Sequence, residues 1–199
     1  MKGKMWTLSG SRIKETDVRK LNAILGTAMI VLFLAHMIMG GLQLAGIMPG
    51  GNILMKIGAV LLFVLTVVHT VIGVILTAAT LKAQSKSGAG YFRENRLFWI
   101  RRISGFAVML FLVSHVIIFS GRTNGEVFRL NLFDIPQLVS SLLFVASLLV
   151  HIVTNIRPLM LALGAGKAKD FLGDCAFVLS VLLLAAGAAF VIYYFRWIM

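Results

Sequence analysis

Residues 101–120 read RRISGFAVMLFLVSHVIIFS, two arginines followed by eighteen residues without Asp, Glu, Lys or Arg. A charge is costly in hydrocarbon, so such a run marks a segment built for lipid, and with Leu97 to Ile100 it reaches the roughly 20 residues that cross about 30 Å. Four similar runs flank it, and together they predict transmembrane helices over residues 21–45, 57–81, 100–120, 135–156 and 172–195. Composition agrees, with 59% hydrophobic and 13% charged residues where soluble domains carry about 25% charged. A soluble protein is thereby excluded, and residues 1–199 read as a single all-α transmembrane domain of five helices. The net charge of +12 does not indicate nucleic-acid binding, because no basic groove-forming domain carries it. With one cysteine, Cys175, an internal disulfide is excluded.

The basic residues orient the chain. Fifteen of the 19 Lys and Arg fall in the N-terminal segment, between the second and third helices, or after the fourth, and only Lys56, Arg122, Arg129 and Arg196 fall on the other side. The positive-inside rule then expects a cytoplasmic N-terminus and an external C-terminus. Tyr193, Tyr194 and Trp197 suit an outer aromatic belt, and Phe98 with Trp99 an inner one. The first helix lacks a small-residue cleavage site and is expected to stay as an anchor. The outer loops near residues 46–53 and 121–134 are too short to fold alone.

His36, His69, His115 and His151 fall one each in the first four helices, inside otherwise uncharged spans. A lone membrane histidine serves equally well as a hydrogen-bonding group between helices or as part of a proton path. Four singletons on four helices instead match what hexacoordinate haem iron needs, paired imidazoles from facing helices of a bundle. Zinc would need all four to converge at one depth. Small and polar residues follow helical spacing beside these histidines, as Ser140, Phe144, Ser147, His151 and Thr154 on the fourth helix and Thr66, His69, Gly73 and Thr77 on the second.

A weak internal repeat pairs the histidines. Gly26 stands ten residues before His36 and Gly105 ten before His115, each glycine preceded by basic residues; His69 and His151 follow as second members. Helices one and two thus read as a duplicate of three and four, relating His36 to His115 and His69 to His151. At about 1.5 Å per residue, His36 lies about 24 Å from Lys20 and His115 about 20 Å from Arg102, which suits an outer haem. His151 lies about 9 Å from Arg157, in the inner half, while His69 at about 20 Å from Lys82 is fixed by the repeat, not by depth.

Arg102-Ile103-Ser104-Gly105 followed by His115, and His151-Ile152-Val153-Thr154-Asn155-Ile156-Arg157, resemble the Arg-x-Ser-Gly…His and His-x-x-x-x-x-Arg patterns of succinate dehydrogenase and fumarate reductase membrane anchors. Five helices with histidines on the first four are similar to the single-subunit, di-haem cytochrome b version of that family, from about Arg19 to the end of the chain. The resemblance implies a haem-binding bundle of the first four helices holding two haem b, the distal one on His36 and His115 and the proximal one on His69 and His151. It implies electron exchange with quinone, commonly menaquinone, in a prokaryotic cytoplasmic membrane. It also implies a flavoprotein and an iron–sulfur subunit docked on the cytoplasmic face, where succinate and fumarate interconvert.

Read from its residues, the chain has no Gly-rich nucleotide loop and no cysteine cluster, so the dicarboxylate chemistry must sit on partners. Its basic face suits membrane lipid as well as an acidic partner. Arg19, Arg102 and Arg157 are candidate partners of haem propionates. A quinone needs hydrogen-bond donors at the edge of an apolar pocket; Gln43, Arg122 and Glu126 at the outer end are favoured, with Trp99, Arg101, Arg102 and Ser104 as the inner alternative. No predicted span carries a buried carboxyl beside its histidine to carry a proton, so turnover is expected to be electrogenic. Two other functions remain open on the residues alone: a di-haem cytochrome b of another dehydrogenase, such as a hydrogenase or formate dehydrogenase, and a small transporter with a histidine proton relay.

Overall fold

The computed structural model describes residues 4–86, 95–120, 122–124, 127–130, 132–164 and 169–199, with side chains described for 17–86, 95–120, 130, 132–164 and 173–199. Five helices carry the fold: α1 (Lys4–Leu44), α2 (Ile53–Ser85), α3 (Arg96–Phe119), α4 (Ile135–Ala162) and α5 (Lys169–Ile198). All five contain segments long and apolar enough to span a membrane. They extend past the predicted ends, α4 through Arg157 and Pro158 and α2 to Ser85. The reason is that a backbone near lipid keeps its own hydrogen bonds, and Lys and Arg stems reach out to the interface without ending the helix.

Most side-chain surface outside the bundle is apolar and exposed, Ile57, Val60, Phe106, Ile117, Phe177 and Leu184 among it, and α2 buries no residue at all. Lipid offers no hydrophobic drive for helix association, so contact comes from close packing of small residues. Gly41 of α1 meets Ala189 of α5, and Gly187 of α5 meets Leu142 and Val145 of α4. α3 packs on α4, α2 mainly on α1, and α5 bridges α4 and α1. The α1–α2 and α3–α4 pairs are thus two layers facing each other, with Thr70 of α2 donating to the Met109 sulfur of α3 at 3.2 Å.

The loop after α3, too short to fold alone, carries a short hairpin and packs on the bundle. Strands β1 (Arg122–Asn124) and β2 (Val127–Arg129) pair antiparallel with Arg122 opposite Arg129. The chain then drops Leu130 and the fully buried Phe133 onto Val145, Leu183 and Phe190. This loop therefore folds by burying its apolar residues in the end of the bundle, which its polar letters conceal. At the same end, Arg196 of α5 donates to the Leu44 carbonyl of α1 at 2.8 Å. Gly46 turns the chain there at φ +78°, and a Cβ at this glycine would strike the Arg196 guanidinium.

Candidate functional site

Toward the C-terminal ends of α1 and α3, His36 and His115 come together with ring centroids 6.3 Å apart and planes at 72°. Phe119, Phe144 and Phe190 surround His115 at 4.7, 5.2 and 6.3 Å. Phe133 and Tyr193 continue this aromatic wall outward. The Nδ1 atoms of both histidines are buried without a hydrogen-bond partner among the described residues. An unpaired imidazole nitrogen is costly to bury in an apolar wall.

The second pair lies toward the basic end. His69 of α2 and His151 of α4 are near enough to interact electrostatically, and Arg102 acts on both. Each histidine faces a glycine on the helix before it. A Cβ at Gly26 would stand 3.8 Å from His69 Cε1, and one at Gly105 would stand 3.0 Å from His151 Cε1 and 3.3 Å from its Nδ1. Each ring also reaches the backbone four residues earlier, at Asn22 for His69 and Arg101 for His151. The repeat read in the sequence is therefore a repeated contact, glycine and carbonyl of one helix against the histidine of the next. The glycine spacing signalled it, although the glycines serve the second histidine of each half and not the one ten residues on.

The halves differ in polar support. His151 Nδ1 lies 3.2 Å from Ser104 Oγ and 3.5 Å from Asn155 Nδ2. Ser104 Oγ donates to the Arg101 carbonyl at 3.2 Å, and Asn155 Nδ2 to the His151 carbonyl at 2.7 Å. Arg101 reaches across to α4, its Nε donating to the Thr154 carbonyl at 2.8 Å. His69 Nδ1 is buried with no partner.

Among the described residues no group of three or more His, Cys, Asp and Glu side chains converges, so the four histidines form pairs and not the single cluster a tetrahedral zinc site needs. Much of the polar stripe turns back on its own helix: Thr66, Thr77, Ser147 and Thr154 donate to carbonyls four residues earlier. Ser140 differs, sharing a 2.7 Å hydrogen bond with Ser114 of α3.

The other predicted residues scatter. Gln43 lies at the end of α1 with Nε2 buried and unpartnered. Arg122 is in β1, its side chain not described, and Glu126 lies outside the described residues. Arg102 stacks over Phe98 at 4.9 Å, whereas Arg19 and Arg157 are exposed. Asn52 and Asp134, polar groups of the loops before α2 and α4, work as helix caps: Asn52 Oδ1 accepts from the Leu54 N–H, and the Asp134 N–H donates to Gln137. Comparison with protein-family models, with curated proteins and with solved structures returns no match for this chain.

Proposed function

We propose that this chain is a membrane cytochrome b holding two haems, His36 with His115 and His69 with His151, and serving as the quinone-reactive anchor of a succinate dehydrogenase or fumarate reductase. The observation that carries the reading is the His36–His115 pair. Imidazole nitrogens bind transition metals at about 2.0–2.1 Å, so two rings on opposite sides of one ion stand with centres roughly 6 Å apart. The 6.3 Å separation fits that spacing, and a 72° twist is compatible with it because each ring rotates about its own metal–nitrogen axis. Haem b bound between such pairs supplies one-electron relay between the two ends of the bundle.

The protein's own residues do the rest. The aromatic wall around His115 excludes water from the outer pair. Arg102, acting on both inner histidines, is suited to pair with a propionate there, with Arg19 and Arg157 nearer the surface as further partners. Gln43 has a donor ready for a quinone carbonyl at the outer end, where Arg122 and Glu126 complete the proposed site, and menaquinone is the proposed quinone. The basic end, facing the cytoplasm in this reading, would receive the iron–sulfur and flavoprotein subunits.

A reduced-minus-oxidised spectrum of the purified chain, with haem quantified, tests the reading. Two haem b per chain is the expected result. None would return the histidines to the proton-relay transporter, and two haems without a co-purifying flavoprotein would favour service to another dehydrogenase.

A further inference from the structure

Pro158 sits inside α4 and has no N–H to give the carbonyl four residues earlier, which is that of Thr154. An unsatisfied carbonyl in a membrane helix costs several kcal/mol unless a neighbour bonds it. Arg101 of α3 is that neighbour, its Nε donating to Thr154 at 2.8 Å. The carbonyl of the same Arg101 accepts from Ser104 Oγ, and Ser104 Oγ is 3.2 Å from His151 Nδ1. One continuous set of bonds thus runs from the break in α4 through α3 and back to α4 at its histidine.

The last bond can run in either direction, according to where the Ser104 hydrogen points and which nitrogen of His151 carries its proton. A serine hydroxyl has one hydrogen, and here it goes to the Arg101 carbonyl, which can only accept. With the hydroxyl turned to Arg101, Ser104 Oγ accepts from Nδ1–H. The competing arrangement has Asn155 donating its second amide hydrogen to an unprotonated Nδ1, across 3.5 Å against the 3.2 Å to Ser104 Oγ. With Nδ1 carrying the proton, Nε2 keeps its lone pair. Gly105, at 3.0 Å from Cε1 for any added Cβ, fixes the ring from its flank.

We propose that Arg101, Ser104 and the carbonyl released by Pro158 form a positioning device that holds His151 as its Nδ1–H tautomer, with Nε2 presented to haem iron and made more basic by the Ser104 hydrogen bond. This rests on the haem reading above. It assigns Arg101 and Ser104 to ligand orientation, in place of the inner quinone-donor role weighed for them from sequence. It also gives the proline a purpose: the break creates the acceptor that fastens α4 to α3 beside the ligand.

The test uses the full chain in membranes, with haem content, the low-temperature spectrum, the paramagnetic resonance of each oxidised haem and both midpoint potentials as readouts. A more basic ligand favours oxidised iron, so Ser104→Ala is expected to raise the midpoint of the haem lost in His151→Ala, leave the other unchanged and speed release of that haem roughly tenfold. Ser104→Thr, which keeps the hydroxyl, should restore the wild-type potential. Arg101→Ala should disturb the same haem, and Pro158→Ala, by returning the helical N–H to Thr154, should remove most of the effect of Arg101→Ala in the double variant. Unchanged or equally shifted potentials in Ser104→Ala would overturn the proposal, as would strictly additive Arg101 and Pro158 effects where Ser104→Ala does not fold. A wild-type chain without haem would sink the functional reading itself, an outcome distinct from these.

Discussion

The α1–α2 and α3–α4 halves use one packing device and finish it differently. In each, a glycine and a carbonyl four residues before it receive the histidine of the next helix, Gly26 with Asn22 for His69 and Gly105 with Arg101 for His151. In the second half, the residue before the glycine is Ser104 and the residue four after the histidine is Asn155, and both reach Nδ1. The corresponding residues of the first half are Leu25 and Gly73, and His69 Nδ1 stays bare. Steric shape and the backbone contact have thus been kept in both halves, while side-chain hydrogen bonding to Nδ1 is found in one. A pair of ligands on one metal needs only one fixed member to set its geometry, since the other is free to settle against it.

The most severe way to break this comparison is to remove the ligands. His36→Ala and His115→Ala are each expected to remove the same single haem of two, and His69→Ala and His151→Ala the other, read as haem per chain. The losses must pair across the halves. If His36→Ala and His69→Ala emptied one site between them, each half would be a haem module of its own and the facing-layer arrangement would be wrong.

Adding one methyl to each glycine gives a smaller effect. At Gly105 it would press on the edge of the His151 ring at 3.0 Å, held from behind by Ser104, so the ring cannot yield without breaking its hydrogen bond. At Gly26 the nearest atoms are Leu159 Cδ1 at 3.5 Å and His69 Cε1 at 3.8 Å, ordinary contacts with a flexible tip and an unanchored ring. Gly105→Ala should cost about 1–3 kcal/mol, as overpacking does in closed cores. Gly26→Ala should fall near zero, since Ala regains up to about 1 kcal/mol of helix propensity. Thermal melts followed at the haem band measure both, and equal shifts would mean that the two cradles are equally tight.

Much of this was legible in the letters. The five spans follow from the cost of charge in lipid, and the approach of His36 to His115 follows from the internal repeat, although the glycines that mark the repeat touch His69 and His151. Two features were hidden for identifiable reasons. The plug made by Leu130 and Phe133 lies in a loop whose polar residues look like solvent-facing chain, and only tertiary burial reveals it. The Ser104–His151 bond joins residues 47 apart, a register that helix packing sets and periodicity does not. The Arg101–Thr154 bond did leave a trace, because a proline within a membrane helix announces an orphan carbonyl four residues back and an arginine on a neighbouring helix is a ready donor. Gln43, Arg122 and Glu126 stand out by polarity alone, and among the described side chains Gln43 has a buried Nε2 without a partner.

The smallest effect comes from giving the first half what it lacks. Gly73 has open space where a Cβ would go, so Gly73→Asn fits without a clash, and Leu25→Ser places a hydroxyl one residue before Gly26, as Ser104 stands before Gly105. That hydroxyl would have the Asn22 carbonyl three residues behind it, as Ser104 has Arg101. It would donate there and accept from the Nδ1–H of His69, whose ring already approaches the Asn22 backbone. A second basic ligand on the same iron should lower the midpoint of the haem that His151→Ala removes, opposite in sign to Ser104→Ala. A hydrogen bond contributes about 0.5–1.5 kcal/mol net, and a tenfold change corresponds to about 59 mV for one electron, so the shift should not exceed roughly 60 mV. Combined with Ser104→Ala, the two substitutions should pull the potential back toward wild type, measured by redox titration of both haems in one sample. A rise, or a shift in the haem of His36 and His115, would show that the two halves are alike in sequence spacing only and that His69 does not face the iron held by His151.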